Sequence, residues 1–235
     1  MLRKIILSLL ALYNGASAYQ CNDIYCIEAK LGIGLYYSFF STPTRDLNNI
    51  GAYIPLDTRY YAARLSLAIE GAFGIGNNKN FLIITTPNIG LNLGSFKYPL
   101  VISFSMPIEA YITNANSEKF IMSTLFLGGN IYHRYMLDDK IGIEYSAGYA
   151  YSVLRGYELS RIDITSTNNN SHRIEASFSM IYYTNRQFQR GNKAYLYAKL
   201  KGIYYINKAF EITNGIQYPA NNNFTIMLET GISLY

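Results

Sequence analysis

The sequence predicts an all-β fold, an antiparallel transmembrane β-barrel of about ten strands within a range of about 8–12. Three observations carry this. Long segments alternate strictly between apolar and polar residues, which is the period of an extended strand. Half of the 235 residues are hydrophobic and 24 are tyrosine, yet only 15% are charged. A large soluble domain carries about 25% charged residues, so this surface is too poor in charge to face water on all sides. Finally, the segments run well past the mean soluble strand of about 5–6 residues, and spanning hydrocarbon takes about 9–11 tilted residues.

The elements follow in chain order. Residues 1–18 read as a secretory signal: Arg3 and Lys4, then apolar Ile5 to Leu12, then Ala16-Ser17-Ala18 as a small-x-small cleavage site. The apolar run is shorter than the roughly 20 residues of a membrane-spanning helix. The expected organisation is a signal peptide at 1–18 and a barrel at 19–235. Cleavage removes two of the 20 basic residues and none of the 15 acids, lowering the formal net charge from +5 to +3. With no clustered Lys/Arg stripe, nucleic acid is not an expected partner. Cys21 and Cys26 would reach an oxidising compartment, where a disulfide closing a tiny loop is expected. Two thiols are too few ligands for a metal.

Ten segments are expected as strands: 27–40, 61–73, 81–94, 99–112, 121–134, 141–153, 172–183, 194–205, 210–218 and 224–235. In 27–40, Ile27, Ala29, Leu31, Ile33, Leu35, Tyr37 and Phe39 share one face, and Glu28, Lys30, Gly32, Gly34, Tyr36, Ser38 and Phe40 share the other. The other segments repeat the theme. Seven acids (Glu28, Glu70, Glu109, Glu144, Glu175, Glu211, Glu229) and six bases (Lys30, Arg64, Arg134, Arg173, Lys199, Lys201) fall opposite the apolar stripe. A one-residue slip would turn them all among apolar side chains, so the pattern fixes register. Pro87 and Pro107 lie inside expected strands and mark ladder breaks. Asn-, Gly- and Ser-rich pieces such as "GIGNNKN" and "STNNNS" supply turns.

A membrane barrel turns its apolar face to lipid and its polar face to the lumen, the reverse of a soluble barrel. Tyrosine suits the interfacial girdles of such a barrel, and Tyr60, Tyr61, Tyr98, Tyr111, Tyr132, Tyr135, Tyr182, Tyr183, Tyr204, Tyr205 and Tyr218 sit near expected strand ends. The expected lumen lining is Glu28, Lys30, Arg64, Glu70, Glu109, Glu144, Arg173, Glu175, Lys199 and Lys201.

No catalytic site is expected. His133 falls on the apolar face near a strand end, and His172 follows Ser171 at a loop edge. Adjacent residues of an extended strand point apart, so Ser171 and His172 do not form a dyad. "GAFGIGNNKN" lacks the helix and the Lys-Ser/Thr pair of a phosphate loop. No acidic cluster has calcium-loop spacing, and no cofactor is expected.

The signal, the alternation across 27–235 and the closing strand "MLETGISLY" resemble a Gram-negative outer-membrane β-barrel protein. The resemblance implies placement in the cell outer membrane, contact with its lipid and lipopolysaccharide, and recognition of a terminal aromatic, here Tyr235, by the barrel-assembly machinery. An even strand number puts both termini in the periplasm. The expected outer loop is 41–60, but 154–171 then falls at the periplasmic end, where turns are short, which marks one segment as merged or invented. The expected function is a non-enzymatic structural or adhesive surface protein with a narrow, charge-lined lumen and loops that meet a host or surface ligand. The alternative is a small-solute or ion porin, and a remote alternative is a lipid-modifying enzyme. Barrels of about eight strands fill their interior with side chains, and open channels appear at about 16–18, so paired charges are expected to plug the lumen.

Overall fold

The computed structural model describes residues 19–21, 25–41, 46–77, 80–115, 118–159, 162–166, 171–187, 193–212, 216–218 and 220–233. The expected signal peptide and Tyr235 lie outside them. The barrel strands are β1 (Tyr25–Ser41), β2 (Asp46–Ala62), β3 (Leu65–Gly76), β4 (Phe81–Asn92) and β5, which runs in two pieces, Leu100–Ser105 and Ile108–Ala115. They continue as β6 (Glu118–Met136), β7 (Ile141–Leu159), β8 (Ser171–Gln187), β9 (Lys193–Asn207) and β10 (Asn221–Ser233). Each pairs antiparallel with its sequence neighbours, and β10 pairs with β1 to close a ten-stranded barrel. Closure satisfies every ladder and leaves no sheet edge, as a spanning β-structure in lipid requires.

The expected alternation holds where it was read. Ile33 and Leu35 are 70% and 63% exposed on the outside, and Tyr36 is 2% exposed on the inside. The outer face carries Ile54, Ile69, Phe73, Ile89, Phe178, Leu200 and Leu228, all exposed. A globular core would hide such residues; here they form an apolar exterior.

Two strand assignments change. Residues 46–62, expected as the loop 41–60, form β2. Their inward face carries Asn49, Gly51, Pro55 and Asp57, which read as turn chemistry in sequence but line the barrel here. Pro55 has no N–H, and the β1–β2 ladder skips from Leu31↔Leu56 to Gly34↔Tyr53 around it. Conversely, 210–218 is no barrel strand but a separate hairpin of Phe210–Ile212 with Ile216–Tyr218, and it takes Glu211 and Tyr218 with it. The strand total therefore stands at ten through one omission and one excess.

Restoring β2 reverses the direction of the strands after it. Both chain ends of the barrel lie at one end (the terminal end), joined there by the turns 63–64, 93–99 and 137–140. The stretch 154–171 moves to the opposite, distal end, where β7 continues to Leu159 and folds back as a short strand, Ile162–Ser166. Both proline carbonyls accept a bond at this break: Met106 N–H donates to the Pro87 carbonyl (2.9 Å), and Phe126 N–H donates to the Pro107 carbonyl (2.8 Å). Together they mark the interruption of β5.

At the terminal end, Tyr19–Cys21 pairs with the start of β1, placing Cys21 opposite Cys26. Cys26 is disulfide-bonded, and Cys21 is the only other cysteine of the chain.

Candidate functional site: the charged interior

The site is the inside of the barrel. Among the described residues, the inward charges are Glu28, Asp57, Glu70, Glu109, Glu144, Glu175 and Glu229 against Lys30, Arg59, Arg134, Arg155, Arg173, Lys199 and Lys201. Seven acids face seven bases, so the interior is formally neutral.

The pairs are layered along the barrel axis. Nearest the terminal end, Arg134 on β6 donates to both oxygens of Glu28 on β1 (2.7 Å each) and to Glu144 on β7 (2.8 Å from Nε). Lys30 reaches Glu144 at 2.5 Å. Tyr132 donates to Glu144 (2.9 Å), and Tyr195 donates to Glu28. The Arg59 guanidinium lies 3.8 Å from the centre of the Tyr132 ring, which links this layer to the next.

In the middle layer Arg59 holds Glu70 (2.5 Å) and Lys199 holds Asp57 (3.1 Å) and Glu229 (3.7 Å). Lys201 bridges Glu70 (3.3 Å) and Glu175 (2.9 Å), and Tyr53 donates to Glu229 (2.7 Å). A cavity of about 20 Å³ between these groups has room for roughly one water. Toward the distal end Arg173 pairs with Glu109 (2.6 Å) and Glu175 (3.1 Å), and Tyr205 donates to Glu109 (2.6 Å). Arg155 donates to Ser171, which in turn donates to Asn207 (2.8 Å).

Apolar side chains cap this belt at both ends. Phe40, Tyr111, Met122, Phe126 and Leu82 pack together on the distal side, with Phe40 and Tyr111 ring centres 4.6 Å apart. Tyr61, Val101, Tyr132 and Phe96 pack on the terminal side. Ions enclosed between apolar caps are desolvated, so each depends on its partners.

Nine of the ten expected lining residues point inward; Arg64 does not. It occupies the two-residue turn 63–64 and is exposed, with Ala63 in the left-handed region (φ 50°) that so tight a reversal requires. Asp57 and Arg59 escaped the sequence reading because β2 did. Their spacing was nonetheless the signal: in "YIPLDTRYY" they alternate with Ile54, Leu56, Thr58 and Tyr60. Arg155 was lost because the expected strand ended at 153. Tyrosine also plays a second role. Tyr61, Tyr111, Tyr132 and Tyr205 point inward and are buried, whereas Tyr98, Tyr135, Tyr182 and Tyr204 are exposed outside. The aromatic girdles include Phe39 stacked on Phe224 (5.6 Å) and Tyr25 beside Tyr60 (6.2 Å). Both histidines lie on the outer face among tyrosines: His133 against Tyr145, and His172 accepting or donating to Tyr149 (2.7 Å).

No family model matches the sequence, and no curated relative does. Among solved structures, the outer membrane protease OmpT from Escherichia coli superposes over 90% of this chain and 96% of its own, with TM-score 0.52 and 9% identity. The fold is that of the Gram-negative outer-membrane β-barrels. Neisserial surface protein A covers 87% of this chain and 95% of its own at TM-score 0.42 and 11% identity. The Pseudomonas putida toluene transporter TodX covers 91% and 89% at TM-score 0.34 and 8% identity. The likeness to OmpT, at 9% identity, reaches the fold and no further.

Proposed function

We propose that the protein is an integral outer-membrane barrel, exported by its N-terminal signal, whose lumen is closed and whose work is done at its distal surface as a structural or adhesive protein. The observation that carries this reading is the charged belt. Among the described residues, seven acids and seven bases point into the barrel, nearly all in ion pairs with one another, with aromatic clusters beside them toward both ends. A conducting lumen needs water and charges free to meet an ion. Here the charges meet each other. The exposed apolar exterior and the girdles support membrane placement. The longest strands, β6 and β7 at 19 residues each, raise one side of the distal rim, where the short Ile162–Ser166 strand adds to it.

The test is conductance. The protein refolded from residues 19–235 and inserted in a planar bilayer should stay silent, with folding shown by heat-modifiable gel mobility. Discrete open levels would overturn the closed lumen and establish the porin reading. Replacing the distal strand Ile162–Ser166 should abolish attachment of displaying cells to a surface while gel mobility is unchanged; unchanged attachment counts against adhesion through that strand.

A further inference from the structure

A furrow crosses the outer face between β2 and the first piece of β5. Cross-strand pairing sets its shape. Tyr60, Leu67, Ile89 and Phe104 are successive partners and stand abreast as one wall. The next row toward the distal end is Thr58, Ile69 and Pro87, continued by Met106 through its bond to Pro87. Beyond Ile69 and Pro87, the outward positions are Gly71 and Thr85. The two rows Tyr60, Leu67, Ile89, Phe104 and Thr58, Ile69, Pro87, Met106 line a hollow of about 420 Å³, within the volume range of small-molecule sites. No charged side chain lines it.

Two exposed cations lie in the turns at the terminal end of the strands that form it. Arg64 sits in the turn 63–64 and Lys97 in the turn 93–99, and neither turn contains an acid. The end of β4 is tied to the first of these turns, because Asn92 N–H donates to the Arg64 carbonyl (2.7 Å). At about 3.3 Å per residue along a tilted strand, the hollow lies within about 15 Å of these turns. That is the depth of one leaflet, half of a hydrocarbon core about 30 Å thick.

We propose that the furrow holds an acyl chain of one anionic glycerophospholipid, whose phosphate sits against Arg64 and Lys97. This rests on the membrane reading above. A furrow alone would accept any chain of the surrounding bilayer. The cations of the two terminal turns, neither of which contains an acid, select the headgroup.

The protein is refolded into phosphatidylcholine vesicles containing a minor share of phosphatidylglycerol, extracted into mild detergent and weighed by native mass spectrometry. The wild type should retain one phosphatidylglycerol in preference to phosphatidylcholine. Arg64→Gln with Lys97→Gln should weaken that preference roughly 30-fold, each surface cation being worth about fivefold toward anionic lipid. Pro87→Phe, which fills the hollow, should lose the bound lipid of either kind. Heat-modifiable mobility verifies folding of each variant. Retention of the two lipids in their bulk ratio, or retention unchanged in the variants, overturns the lipid site alone. Failure to insert into the vesicles overturns the membrane reading and the lipid site with it.

Discussion

Four interior glutamates each receive a tyrosine hydroxyl as well as a cation: Glu28 from Tyr195, Glu109 from Tyr205, Glu144 from Tyr132 and Glu229 from Tyr53. Tyrosine does here what phenylalanine cannot. It fills the lumen with an apolar ring and still donates to a buried carboxylate. Part of the reason for the tyrosine-rich composition therefore lies inside the barrel, not in its girdles. Tyr205→Phe should cost about 1–3 kcal/mol by leaving a buried Glu109 oxygen short of its donor. Arg173→Met should cost more, about 3–5 kcal/mol, since it strips the cation from Glu109. Adding Glu109→Gln to Arg173→Met should restore part of the loss, because no uncompensated charge then remains there. Urea unfolding in detergent, followed by heat-modifiable mobility, checks all three; equal losses in the single and double variants would show that packing, not charge, dominates.

Strands and turns place separate demands on the sequence. Gly34 on β1 faces inward, and a Cβ there would sit 2.4 Å from the Tyr53 ring and 2.7 Å from the Leu228 carbonyl. Gly34→Val should therefore displace Tyr53 from Glu229 and lower the folded yield, while Val at outward Ile33 should be nearly neutral. In the turn 137–140, the Asp138 carboxylate accepts from Lys140 N–H and Ile141 N–H at 2.7 Å each. These bonds hold its pKa below the ordinary value. A pKa lowered by folding gives stability that is present above the unfolded value, about 3.9, and lost as pH falls through the lowered one. Asp138→Ala should thus weaken the barrel at neutral pH, and the difference from wild type should vanish in strong acid. The same scale explains what could be read in advance. Strands whose inward face is Glu, Lys, Ser and Gly, such as 27–40, declare themselves by alternation. Strand β2 hid because Asn49, Gly51, Pro55 and Asp57 resemble a loop unless an enclosed, polar lumen is already assumed. Residues 210–218 misled in the opposite way, since a short hairpin alternates like a strand. The lining charges were legible because polarity alone sorts them; their partners were not, because Arg134 and Glu28 lie 106 residues apart and meet only on closure.

For the molecule as a whole, neutrality of the interior matters more than any pair. Lys199→Glu with Lys201→Glu would strip the lysine from Asp57 and Glu229, leave Glu70 and Glu175 only their arginines, and add two further acids beside them. The expected outcome is loss of the folded band, not a channel of altered selectivity; a folded, conducting double variant would show that the belt tolerates water and that the wild type is one step from a pore. The terminal end holds a further consequence. Alternation forbids the last strand from docking one residue out of place, but a slip by two keeps every side chain on its proper face. On β1, the last described pair with β10 is Ser233↔Lys30, and the edge just below, Cys26–Glu28, is already taken by Tyr19–Cys21. The short N-terminal strand, anchored beside the Cys26 disulfide, thus acts as a doorstop: it bars the two-step slip in that direction.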